Sequence, residues 1–275
     1  MKLQLITIAV IIQVAWMGRG FAQESKQESL VISAGMTYLA RKDLVYSPFV
    51  HTDRSFHSYG LAYQREKDFF QFVETGITYN TSQIGSSYEM EMGDHSHMVL
   101  PHEFLFFHLN YGIGKTLGKT SRAKSWLGAA LKVDLQASFY NFTLSNMFGY
   151  YIGQSGGIWY KKRWIFDNKH EFSFQLELPL ITWMARPPYL AEDDRFIENI
   201  SSHKPVRIIM AFIEDGQFAF WDKLQRSDFS LTYQYPVSKK WGIGTVYRFS
   251  FIHASEPKSL LSYQQSLNFT GTLKF

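Results

Sequence analysis

Between Trp126 and Phe139 the chain alternates with a period of two and without a break. Leu127, Ala129, Leu131, Val133, Leu135, Ala137 and Phe139 fall on one face, and Gly128, Ala130, Lys132, Asp134, Gln136 and Ser138 on the other. A helix would scatter Lys132, Asp134 and Gln136 around its circumference, whereas an extended strand sets them in one row. The pattern returns at 105–113, 172–180, 229–235 and 247–251. It predicts about ten strands, near 29–42, 56–67, 69–84, 103–117, 125–140, 148–166, 170–184, 217–236, 240–254 and 261–275. Most are far longer than the 5–6 residues usual in soluble sheets. Short polar turns at 66–68, 118–124, 167–169 and 237–240 alternate with segments at 43–55, 85–102, 141–147, 185–216 and 255–260, most of them longer. The stretch KPVRIIMAFIEDGQFAFWDKL reads either as one more hairpin, which raises the count to twelve, or as loop structure, which leaves ten.

The first residues follow a different pattern. Lys2 precedes an apolar run from Leu3 to Trp16, and small residues stand at Gly20 and Ala22. That is the layout of a signal peptide, residues 1–22, cleaved before Gln23. The run is shorter than the roughly 20 residues a spanning helix needs. Removing Lys2 and Arg19 and no acid lowers the net charge from +4 to +2. The remaining charges alternate in sign and form no basic block, so nucleic acid is not an expected partner. With no Cys, the chain holds no disulfide, no thiolate metal site and no lipidated N-terminal cysteine. No linker or low-complexity tract divides residues 23–275, which read as one all-β unit.

Alternation alone does not say which face is inside. An antiparallel up-and-down barrel in a membrane turns its apolar face outward, and a soluble barrel of lipocalin type turns it inward. Strand length favours the membrane, since about 9–11 tilted residues cross a bilayer. The polar face carries Glu66, Glu74, Lys132, Asp134, Glu177 and Arg248, ionisable groups better suited to pairing across a lumen than to lining a solvated exterior. Aromatic residues, 17% of the chain, gather toward strand ends as membrane-interface girdles do. A barrel of about ten strands is narrow, so a salt-bridge network filling the lumen is expected rather than an open pore.

The last ten residues, SLNFTGTLKF, alternate up to Phe275, with Leu273 and Phe269 on the same face. Together with the leader and the long alternating strands, this ending resembles the Gram-negative outer-membrane β-barrel class. The resemblance implies an outer-membrane location, contact with outer-membrane lipid, and reading of Phe275, Leu273 and Phe269 as a signal by the barrel-assembly machinery. It specifies no ligand; the expected work is surface binding, envelope structure or partnership with other envelope proteins through the longer loops. No cofactor is implied.

Three constellations offer chemistry. His253 and Ser255 resemble the His-x-Ser pair of outer-membrane phospholipases and lipid A deacylases, which act as lipid-acyl hydrolases. By parity both face outward near the rim, with Tyr263, Gln265 and Leu267 the outward candidates on the next strand. Glu256 departs from the Asn usual after such a pair, no carboxylate lies among those candidates, and about one His-x-Ser match is expected by chance in such a chain. Asp94, His95, His97 and His102, with Glu89, Glu91 and Glu103 nearby, could ligate a divalent transition metal, though the spacing matches no closed zinc site. Asp94/His95 and Asp193/Asp194 could be recruited into an omptin-like protease site, but their spacing does not require it. A narrow channel lined by the lumen charges is the remaining alternative.

Overall fold

The computed structural model describes residues 27–82, 89–92, 95–98, 100–142, 145–167, 169–187, 214 and 216–275. The leader expected at 1–22 lies outside them. Thirteen strands are formed: β1 (Gln27–Asp43), β2 (His51–Glu66), β3 (Phe69–Ser82), β4 (Glu89–Met92), β5 (His95–Met98), β6 (His102–Lys119), β7 (Ala123–Phe142), β8 (Ser145–Ile165), β9 (Glu171–Ala185), β10 (Gln217–Ala219), β11 (Leu224–Pro236), β12 (Trp241–Ala254) and β13 (Leu260–Lys274). Ten of them close a barrel in the order β1-β2-β3-β6-β7-β8-β9-β11-β12-β13, each antiparallel to the next. The last strand pairs with the first from Ser29↔Lys274 to Asp43↔Leu260, so the barrel has no free edge. The β4–β5 pair is a separate hairpin, and β10 extends the sheet beside the far end of β9.

The inside-outside question is decided by exposure. Leu131 (52%), Ile243 (56%) and Phe269 (74%) face outward, whereas Asp134, Arg226 and Asn268 are buried within. An apolar exterior around a charged interior is the inverse of a soluble barrel. The lipocalin alternative therefore falls.

Several boundaries differ from the sequence expectation. Residues 217–236 are not one strand: the chain turns at 220–223, where the Lys223 and Leu224 amides donate to Phe220 O. Strand β2 begins at His51, and the segment before it folds back, with the Tyr46 and Ser47 amides donating to Asp43 O. The expected loop at 141–147 is largely strand, because β7 and β8 stay paired from Ala123↔Trp164 to Phe142↔Ser145.

One end of the barrel carries the start of β1, the end of β13 and the short connections at 67–68, 120–122, 166–170 and 237–240; we call it the turn end. The opposite, loop end carries the remaining connections. Phe275 closes the turn end by donating its amide to Glu28 O at 3.0 Å, and the Lys274 amide reaches Lys240 O at 2.7 Å.

Candidate functional site

The lumen is filled in layers. At the loop end, Leu39, Val45, Tyr46, Phe104, Phe106 and Tyr140 form a buried cluster, with Tyr46 and Tyr140 stacked at 4.8 Å. Tyr46 comes from the folded-back segment and lies across Gly149, where a Cβ would sit 2.7 Å from its ring. Beside this cluster Arg41 donates to Gln136 at 2.6 Å and to Asp43 at 3.2 Å. Asp43 also takes Arg186 at 2.9 Å, and Arg186 donates onward to the carbonyls of Glu256 and Lys258. A buried ion pair thus staples two loops to the barrel wall.

Below lies a chamber of about 110 Å³. Arg226 makes a two-pronged contact with Asp134 and reaches Asp228 at 2.8 Å, while Lys132 pairs with Asp228 at 2.9 Å. Arg248 holds Glu74 at 2.8 Å. Glu177 makes no ion pair among the described residues and instead accepts from the amides of Asn110 and Gln175, each at 2.7 Å. His108 completes the lining.

Next comes an aromatic layer of Phe70, Phe72, Trp126 and Trp159, with ring centroids 5.0–5.6 Å apart across the barrel. Phe72 lies against Gly112, a position where any Cβ would collide with its ring. At the turn end Glu66 takes Lys124 at 2.6 Å and Arg163 at 2.8 Å, and Lys274 pairs with Glu171 at 3.0 Å.

All six lumen charges singled out from the sequence point inward, but they do not form one network. Glu66 belongs to the turn end, Glu74 and Arg248 pair with each other, and Lys132, Asp134 and Glu177 sit around Arg226, Asp228 and Asn110. Arg226 was missed although it lies two residues before Asp228 on the same face. Arg41, Asp43, Arg186, Lys161 and Arg163 were missed as well, each near a strand end where alternation blurs into turn composition.

The His253–Ser255 pair is not assembled. The His253 ring nitrogen Nδ1 lies 3.3 Å from Gln225 Oε1 on β11, and the Ser255 hydroxyl donates to Lys223 O at 3.3 Å. No hydrogen bond joins the two. The Ser255 amide donates to the same carbonyl, and Glu256 pairs with Lys223 at 2.9 Å, so this segment is a loop clamp. Of the metal candidates, Asp94 lies outside the described residues, as do Asp193 and Asp194, and the side chains of His95 and His97 are not described. His102 is buried at the start of β6, where its Nδ1 accepts the Asn141 amide at 2.9 Å and its ring meets His51 at 4.8 Å. Among the described residues no three His, Cys, Asp or Glu side chains are grouped to hold a metal.

No family model and no curated protein matches the sequence. Solved structures do. The outer membrane protease OmpT from Escherichia coli superposes with a TM-score of 0.56 at 5% identity, covering 94% of this chain and 99% of that one. The chain has the outer-membrane β-barrel fold. Neisserial surface protein A covers 92% of this chain and all of its own at 10% identity, with a TM-score of 0.37. The attachment protein Ail of Yersinia pestis covers 91% and 100% at 8% identity, with a TM-score of 0.31. At such identities the likeness concerns the fold alone. Within this barrel, two packed layers lie in the lumen among the described residues.

Proposed function

We propose that the protein is an integral outer-membrane barrel, exported by the leader at 1–22 and closed to solute. Its work is done at the loop end, which is presented to the outside for surface binding, envelope structure or contact with another envelope protein. Phe275, Leu273 and Phe269 serve as the address read by the barrel-assembly machinery. The observation that carries this reading is the lumen: an aromatic layer, a chamber of buried ion pairs and a second apolar cluster succeed one another along it. Strands of 13–21 residues exceed what a bilayer requires, so the barrel projects beyond it. Exposed Phe49, Val50, Phe218 and Trp221 at the loop end offer apolar contact area there.

The absence of native Cys makes orientation directly testable. A Val50→Cys variant is expected to react with a membrane-impermeant maleimide on intact cells. A Lys239→Cys variant, in the turn between β11 and β12, is expected to react only after the envelope is broken. Equal labelling of both on intact cells, or labelling of Lys239→Cys alone, overturns the assignment.

A further inference from the structure

Lys161 projects from β8 into the turn-end chamber, a space of about 60 Å³ that reaches the barrel mouth beside Gln27, Glu171 and Lys274. It is 93% buried, since only 7% of its surface is exposed. Its ammonium lies over the face of Phe70, 4.7 Å from the ring centroid. Both carboxylates of the chamber are already engaged: Glu66 by Lys124 and Arg163, Glu171 by Lys274. Three cations of the lining, Lys161, Arg163 and Lys274, therefore face two carboxylates, and Lys124 reaches Glu66 from beside the chamber. Arg163 adds a second signal, for its Nε is buried and has no hydrogen-bond partner. A buried ammonium with no carboxylate in ion-pair contact is costly, and an aromatic face with more distant carboxylates offsets only part of that cost. The chamber has room for one small anion and a few waters, and the hydroxyls of Ser29 and Ser173 line it as neutral donors.

We propose that the turn-end chamber binds one small oxyanion of the phosphate class, with Lys161 as its principal charge partner and Arg163 as a supporting donor. The site is distinct from the loop end and does not depend on what the loops contact. The anion completes the turn-end seal by supplying the charge that the chain lacks there.

Inorganic phosphate is the probe, added at constant ionic strength to purified full-length protein in a non-ionic detergent and followed by calorimetric titration. The parent is expected to bind, and Lys161→Met to bind at least tenfold more weakly while keeping the heat-dependent gel shift of a folded barrel. Acetate and chloride serve as competing arms; displacement of phosphate by chloride at equal concentration contradicts oxyanion selectivity. Should Lys161→Met fail to fold, Glu171→Gln removes a competing carboxylate and is expected to tighten phosphate at least threefold. A parent that takes up no phosphate at about 10 mM overturns the proposal. Unchanged binding in Lys161→Met, or in Glu171→Gln, does so as well.

Discussion

The two charged chambers of the lumen solve opposite problems. The middle chamber holds four carboxylates against three cations, and the turn-end chamber three cations against two carboxylates. In the middle the surplus acid, Glu177, is satisfied by two amide donors, so no ion is needed. At the turn end the surplus base, Lys161, lies over a π face and makes no ion pair. The difference teaches that charge count alone does not predict an ion site. What matters is whether neutral side chains of the right polarity reach the odd charge. An amide supplies donors to the middle carboxylate, whereas no glutamine or hydroxyl lining the turn-end chamber takes a hydrogen bond from Lys161.

This contrast has energetic consequences. Arg226→Met should be the most damaging change. It leaves Asp134 buried without its two-pronged partner and weakens the hold on Asp228, at a cost of about 3–5 kcal/mol. Urea unfolding of the barrel in detergent, compared with the parent, measures it; a loss below about 1 kcal/mol would mean the middle network is solvated. Lys161→Met should behave differently, because it orphans no carboxylate. In phosphate-free buffer its unfolding free energy is expected to lie within about 1 kcal/mol of the parent or slightly above it. A loss as large as that of Arg226→Met would erase the distinction between the chambers.

Much of this architecture was legible in the residues themselves. Alternation in β7, β6 and β12 revealed strands, and the row Lys132, Asp134 and Gln136 indicated that the polar face is enclosed. Pairing was harder to read. Asp134 meets Arg226 across 92 positions and Glu74 meets Arg248 across 174, contacts that exist only once the barrel closes. The run Lys161-Lys162-Arg163 looks like a basic cluster at a strand end. Only the structure separates Lys161 and Arg163, inside, from Lys162, which lies over Trp164 on the outer wall at 5.1 Å. The Tyr46 plug was hidden for a related reason. Its segment has the composition of a loop, and its apolar residues find their partners on β6 and β7, far away in sequence.

The central claim is that the lumen is closed, and planar-bilayer recording tests it most directly. Purified protein inserted into the bilayer, with insertion verified by heat-modifiable mobility of the recovered sample, is expected to give no stepwise conductance. Removing part of the seal with the double variant Phe72→Ala and Trp159→Ala is expected to introduce it. Steady channel openings from the unmodified protein would contradict the account.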